Sequence, residues 1–365
     1  MSEWQTFCLK DLVKIFGGST PPTNNPKNYG NKIRWITAKD LSTLQGRYIK
    51  KGSRSISRLG FKSCSCVLLP KHAILFSSRA PIGYVAIAKK RLCTNQGFKS
   101  IIPNKKIYFE FLYYLLKYHK DNISNMGVGT TFKGISKPAL GLFEVKIPPT
   151  YYEQQKIART LSILDQKIEN NHKINELLHT LAYKIYEYYF KYKPKNAKLE
   201  QIIIENPKSN IMVKNAQKTQ DKYPFFTSGD NILSYPKAII DGRNCFLNTG
   251  GNAGIKFYVG KASYSTDTWC IGANEFSDYL YLLLSSIKTH INQSFFQGTS
   301  LKHLQKNLLK KYPIYMPSAH EIKKFNQIIM PLLTLISINT RTSKKLEQIR
   351  DFLLPLLLKQ QVKPQ

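Results

Sequence analysis

The sequence predicts an α/β (α+β) protein: two globules of mixed strands and helices, each followed by a long helix, the two helices packing as an antiparallel coiled coil. Three observations predict it. A heptad pattern of apolar residues occurs twice, 168 positions apart, counted from Thr150 to Ser318. Short apolar runs broken by Gly, Pro and Asn clusters precede each copy, as in strand-rich globules. The chain has 365 residues, 42% of them hydrophobic, which is too long for one ordinary core and apolar enough to fill more than one.

Residues 1–150 form the first globule, with strands expected at 32–37, 73–77 and 85–88 and a helix at 109–118. Residues 151–192 form the first long helix. Thr150 followed by Glu153 is a capping box that sets its start. Its seam runs Ile157, Leu161, Leu164, Ile168, then Leu178, Ala182, Ile185 and Tyr189, a 4-3-4-3 spacing interrupted at Asn171 and Asn175. The charged, Pro-containing run 191–197 links it to the second globule, 193–317, where a strand is expected at 256–260 and a helix at 279–286. Residues 318–361 form the second long helix. Its capping box is Ser318 with Glu321, its seam Phe325, Ile329, Leu332, Ile336, Leu346, Leu353 and Leu357, and its interruption Asn339 and Ser343. Pro331 should kink this helix or open one hydrogen bond. Each helix would be roughly 60 Å long. Antiparallel packing would bring Asn171, Asn175, Asn339 and Ser343 together as a polar layer that fixes register; the alternative is a local splay toward solvent.

The loops repeat as well. Gly129-Thr130-Thr131-Phe132-Lys133 matches Gly298-Thr299-Ser300-Leu301-Lys302. Cys93-Thr94-Asn95-Gln96-Gly97-Phe98 aligns with Tyr264-Ser265-Thr266-Asp267-Thr268-Trp269, and Ser77 to Gly83 with Thr249 to Gly254.

Charge narrows the partner. Fifty-five Lys and Arg against 22 Asp and Glu give a formal charge of +33. Such a surface suits DNA, RNA or an anionic membrane, unless the charge serves only solubility. No apolar run reaches the length of a membrane span, so a membrane partner is not expected. Glu3 and the missing apolar core argue against a signal peptide. The cysteines at 8, 64, 66, 93, 245 and 270 show no CxxC pairing and fit free thiols in a reducing cytoplasm, with no metal site.

Candidate nucleic-acid contacts follow from side-chain chemistry. Ser19 and Thr20 lie in a Gly17-Gly18-Ser19-Thr20-Pro21 turn whose amides could approach a phosphate; a plain strand-to-strand turn is the alternative. Arg79, after Ser78 at a strand end, suits a guanine edge, and Asn95 and Gln96, after Thr94, suit adenine edges. An exposed Arg and an ordinary turn would explain them equally. Lys39 either contacts phosphate or pairs with Asp40. Thr130, Thr131 and Lys133, repeated as Thr299, Ser300 and Lys302, form glycine-flanked loops with hydroxyls and a cation, or helix-capping turns. Ser228, Asp230, Asn231, Asn248, Thr249 and Asn252 are further candidates in the second globule. Trp269 and Phe98 fit core better than stacking. No catalytic residue is assigned: the Pro-Pro segments lack the methyltransferase loop pattern, and no Walker, HExxH or CxxC motif occurs. Carboxylates such as Asp165 and Glu169 are expected on a helix surface. A nuclease or modification enzyme with an unrecognised site, or a stand-alone nucleic-acid-binding protein, remains an alternative on the residues alone.

IPPTYYEQQKIARTLSILDQKIE resembles the segment that follows a target-recognition domain in the specificity subunits of type I restriction-modification systems. LKDLVKIFGGSTPPTNNPKNYGNKIRWITAKDLS is similar to the opening of such a domain. The second half departs from the pattern, reading MPSAHEIKKF without the Glu-Gln pair. The resemblance implies that each globule is a target-recognition domain reading one half of a bipartite target in double-stranded DNA. It implies that the helices set the spacer and dock two methyltransferase (modification) subunits. It implies no cofactor on this chain: S-adenosylmethionine, ATP and magnesium belong to those subunits and to two restriction subunits. The location implied is the cytoplasm.

Overall fold

In the computed structural model the chain separates into two units at the middle of both long helices: residues 1–170 with 344–365, and residues 171–343. Residues 3–79, 81–129, 133–216 and 222–364 are described. Each unit therefore holds one globule, the first half of the helix that follows it, and the second half of the other helix.

Unit 1 contains β1 (Gln5–Cys8), β2 (Val13–Gly17), β3 (Tyr29–Ile36), β4 (Tyr48–Ile49), β5 (Arg54–Ile56), β6 (Ile74–Ser78), β7 (Ile82–Ala88), β8 (Cys93–Thr94), β9 (Phe98–Pro103) and β10 (Glu144–Ile147). They form a five-stranded sheet in the order β2-β9-β6-β7-β4, a three-stranded sheet β5-β3-β8 and the pair β1-β10. The apolar start of β6 is explained by burial on both faces: Ile74 and Phe76 point into one core and Leu75 into another, the period of two that a strand imposes. The first core takes Phe111, Leu112 and Leu115 from helix Phe109–Tyr118, Ile157, Ala158 and Leu161 from the first long helix, and Leu354, Leu357 and Leu358 from the second.

Unit 2 repeats this design. β11 (Ala197–Lys198), β12 (Ile204–Glu205), β13 (Tyr223–Phe226), β14 (Leu233–Tyr235), β15 (Arg243–Asn248), β16 (Ile255–Val259), β17 (Ser263–Tyr264), β18 (Thr268–Gly272), β19 (Phe296–Gln297), β20 (His303–Leu304) and β21 (Pro313–Ile314) form sheets β12-β18-β15-β16 and β14-β13-β17, with pairs β11-β21 and β19-β20. The senses match: β3 is antiparallel to β5 and parallel to β8, and β13 is antiparallel to β14 and parallel to β17. Helix Ser277–Ser286 fills its core with Tyr279, Leu280 and Leu283 against Ala182, Tyr186 and Phe190 of the first long helix and Phe325, Ile329 and Leu333 of the second.

The long helices span Tyr151–Tyr186 and Ala319–Leu358. The Glu153 amide donates to Thr150 Oγ1 at 3.2 Å. The second cap is reciprocal, with Glu321 N on Ser318 Oγ at 3.3 Å and Ser318 N on Glu321 Oε2 at 2.9 Å. The second helix runs unbroken across Pro331, which has no amide hydrogen to give to the preceding turn. The first ends in a π turn, Glu187–Lys191, whose extra residue rotates the seam. Tyr186 and Phe190 are consequently the buried residues there, and Tyr189 of the expected seam is only partly covered.

The two helices pair antiparallel within each unit. In unit 2, Asn171 Nδ2 donates to Ser343 Oγ at 3.1 Å, and Asn339 Nδ2 to Asn175 Oδ1 at 2.9 Å. Asn175 Nδ2 reaches Thr340 Oγ1 and the Ile336 carbonyl, each at 3.4 Å. In unit 1, Arg350 Nη1 meets Asp165 Oδ1 at 2.7 Å.

That contact corrects one expectation. Asp165 is not on a helix surface but 4% exposed, taking Tyr114 Oη at 2.6 Å as well as Arg350. Arg47, 3% exposed, completes the network through Glu110 at 3.2 Å and Glu169 at 3.1 Å. The seam pattern missed it because an acid beside a heptad seam ordinarily faces water, and here two arginines and a tyrosine hydroxyl replace the water. In unit 2 one bidentate pair plays the same structural part, Arg243 on Asp278 at 2.5 and 2.6 Å, with Arg243 Nη1 also on Thr334 Oγ1 of the second long helix at 3.0 Å.

Candidate nucleic-acid interface

In unit 1 four segments converge through backbone hydrogen bonds. Ser78, at the end of β6, donates N–H and Oγ to the carbonyl of Gly97, at 2.8 and 3.1 Å. The Ser78 carbonyl receives Ile135 N at 2.9 Å, and Arg79 bridges to Gly134. The Ser19 amide donates to the Thr94 carbonyl at 3.0 Å, and Thr20 Oγ1 bonds Gln96 Oε1. This approach requires glycine at position 18, where a Cβ would lie 1.9 Å from the Asn95 carbonyl oxygen.

Unit 2 builds the same platform. Thr249, following β15, donates N–H and Oγ1 to the Asp267 carbonyl, at 3.2 and 2.7 Å. The Thr249 carbonyl receives Leu304 N at 3.0 Å, and Gly250 bridges to His303. Ser228 Oγ also bonds the Asp267 carbonyl. Gly129 and Gly298 open the matching loops at φ of 137° and 141°, a region open to glycine and strained for other residues.

These bonds correct the loop alignment by one residue. Gly97 lies 19 positions after Ser78, and Asp267 lies 18 after Thr249. The missing residue is in the β15–β16 turn, since Phe76 pairs with Val85 but Leu247 with Ile255. Gly97 thus corresponds to Asp267, not Thr268, and Asn95 to Ser265, which donate alike to the Ile36 and Phe226 carbonyls.

The candidate residues divide by exposure. Arg79, Gln96 and Lys133 stand exposed on the first platform, and Asp230, Asn231, Asn252, Thr299, Ser300 and Lys302 on the second. Ser19 and Thr20 are half-buried in the turn, and Ser228 and Thr249 are half-buried at the second hub. Thr130 and Thr131 lie outside the described residues. Ser78, Thr94 and Asn248 are buried with their polar groups turned inward: Thr94 Oγ1 meets Ser100 Oγ at 3.2 Å, and Asn248 Nδ2 donates to the Asn252 carbonyl at 3.1 Å. Asn95 is half-buried, its Oδ1 taken by Gly97 N at 3.1 Å. Lys39 is exposed and does not take Asp40, whose carboxylate accepts Thr37 N and Ser53 N, both at 2.7 Å. Phe98 and Trp269 are core.

Three residues of the frame escape the sequence. Lys256 Nζ donates to the Thr227 carbonyl at 2.8 Å and to Asn248 Oδ1 at 3.1 Å, and burial pushes its pKa down. Lys99 on β9 is likewise held below the ordinary lysine value, by burial first and then by the Arg79 charge. Asp267 acts through its carbonyl, which no residue-type pattern reports. Among the described residues, no group of three or more His, Cys, Asp or Glu converges to hold a metal.

Two copies of one platform, each on its own sheets and in a chain of charge +33, define a duplicated reader of a polyanion. The family model for the type I restriction modification DNA specificity domain matches residues 1–180 and 195–348. The specificity subunit of the type I restriction enzyme MjaIX from Methanocaldococcus jannaschii is 31% identical over an alignment of 405 positions, covering 98% of this chain and 93% of that protein. That of HindI from Haemophilus influenzae is 29% identical over 46% of this chain and 37% of its own length. A crystal structure of a type I S subunit from M. genitalium shares the fold, with a TM-score of 0.63 at 18% identity, over 97% of this chain and 96% of that one. The chain belongs to the specificity subunits of type I restriction-modification systems. Its role is DNA target specificity, as the non-catalytic component of such a system.

Proposed function

We propose that each unit reads one half of a bipartite target in double-stranded DNA, and that the paired long helices set the unread spacer. The observation that carries this is the duplicated platform, built on matching strands by matching carbonyl hubs. Arg79, Gln96 and Lys133 supply the first unit's contacts; Asp230, Asn231, Asn252, Thr299, Ser300 and Lys302 supply the second's. Ser19, Thr20, Ser78, Thr94, Asn95, Ser228, Asn248 and Thr249 hold those contacts in place, and Lys39 adds a cation for phosphate.

The helices also dock two modification subunits, which use S-adenosylmethionine to methylate adenine. Two restriction subunits join them and use ATP and magnesium. Apolar residues left exposed at heptad spacing support helical partners. In unit 2 these are Ile174, Leu177 and Leu181 on the first long helix and Ile328, Leu335 and Ile338 on the second; in unit 1 they are Ile349 and Phe352. Such stripes in water are costly unless covered. The complex works in the cytoplasm; among the described residues no helix is long and apolar enough to cross a membrane.

Inserting one heptad after Glu176 and another at the facing level of the second helix tests the spacer role. Mapping of methylated adenines in cells carrying the complex should then show a longer spacer between unchanged half-sites. Altered half-sites at constant spacer would contradict it.

A further inference from the structure

We propose that Asp267 is a specificity-determining residue of unit 2, its carboxylate accepting a hydrogen bond from the exocyclic amine of a cytosine in the major groove. The proposal rests on the reading that this platform faces DNA.

The two platforms place opposite charges on one frame. At the bridged strand end, unit 1 has Arg79 where unit 2 has Gly250. At the carbonyl hub, unit 1 has Gly97 where unit 2 has Asp267. Unit 1 thus carries an arginine at the strand end and no side chain at the hub, and unit 2 a carboxylate at the hub and no side chain at the strand end. The exchange leaves the frame intact, because the hub works through the backbone carbonyl, which receives Thr249 and Ser228 whatever the side chain.

The Asp267 side chain is exposed. Its Oδ1 receives Thr266 Oγ1 at 2.8 Å, and among the described residues it joins none of unit 2's ion pairs. A carboxylate outside those ion pairs on a DNA-facing platform is repelled by the phosphates, so it weakens binding to every sequence unless a base offers it a donor. Major-groove edges offer donors at the amines of cytosine and adenine. Adenine sets the acceptor N7 beside its amine, which repels a carboxylate; cytosine presents its amine without that neighbour. Arg79 has the complementary preference for the O6 and N7 acceptors of guanine.

The test uses the full chain with its modification subunits, comparing methylation motifs in cells carrying wild type, Asp267→Ala, Asp267→Glu or Asp267→Asn. Wild type should require a cytosine at one position of one half-site. Asp267→Ala should lower discrimination there by about tenfold or more, Asp267→Glu should retain cytosine, and Asp267→Asn should move the preference toward adenine. The other half-site and the spacer should not change, which also reports that the variants fold. An unchanged motif in Asp267→Ala, or equally stronger binding to all sequences, would overturn the assignment of Asp267 while leaving DNA reading intact. A wild-type motif without two half-sites would overturn both.

Discussion

Arg47 shows how much a single side chain holds in place. Its guanidinium touches Glu110 at 3.2 Å and Glu169 at 3.1 Å, with Asp165 at 3.9 Å, and so ties a two-residue strand to the first long helix. Removing it leaves Glu110 and Glu169 without their cation, while Asp165 keeps Arg350. Arg47→Met should destabilise unit 1 by about 3–5 kcal/mol, as for a broken buried pair, measured from urea unfolding. A loss of only about 1 kcal/mol, the scale of an exposed pair, would mean that the carboxylates relax into water. Asp40 gives a pH-dependent case. Burial opposes its ionisation, but hydrogen bonds from the Ser53 and Thr37 amides outweigh that and hold its pKa below the ordinary 3.8. The folded form therefore favours the carboxylate. This stabilisation is complete above about pH 4 and disappears as pH falls through the folded-state value. Asp40→Asn should flatten the acid limb of the stability curve in that window; an unchanged limb would count against it. Gln154 marks where the two halves differ. It is buried, accepting Tyr108 N at 2.8 Å and donating to the Lys106 carbonyl at 3.0 Å, whereas Ile322 stands in its place and packs into the core of unit 2.

At the scale of elements, the polar middle of the helix pair concentrates cost and specificity. Asn175→Ala would leave Asn339 Nδ2 without its acceptor and should cost about 1–3 kcal/mol. Replacing both Asn175 and Asn339 by Leu should recover that loss or more, while relaxing register. Thermal unfolding of single and double variants separates these outcomes, and a double variant as unstable as the single one would show that the layer is not a simple hydrogen-bond pair. The helices were legible because a heptad seam and a capping box are local patterns: Ile157, Leu161, Phe325 and Ile329 lie where their spacing puts them. The end of the first seam was less legible, because a π turn obeys no heptad. The platforms were legible only as repeated loops. Their hubs are carbonyls of Gly97 and Asp267, and every residue carries a carbonyl. A turn shorter by one residue then hid which position corresponds to which. The charge network was hidden for another reason: Arg47 and Asp165 are remote in sequence and meet only in the folded unit.

For the whole molecule, the division of the long helices decides how halves can be exchanged. Moving residues 1–145 from a relative onto this chain should change one half-site only, because the second platform lies entirely within residues 171–343. The junction matters to stability in a way the order of globule and helix does not reveal. A cut at 145 parts Arg47 from Glu169, Tyr114 from Asp165 and the 106–108 segment from Gln154. A cut at 170 moves all of these together; it parts Asp165 from Arg350, while the packing of the globule on Leu354, Leu357 and Leu358 is crossed by either cut. The chimera cut at 170 should therefore unfold at higher urea than the chimera cut at 145, by several kcal/mol if the donor lacks matching charges. Both should yield the same new half-site in methylation maps. If the two chimeras were equally stable, the buried network would not be what fastens the globule to its helix; if they differed in half-site, residues 146–170 would take part in reading the target.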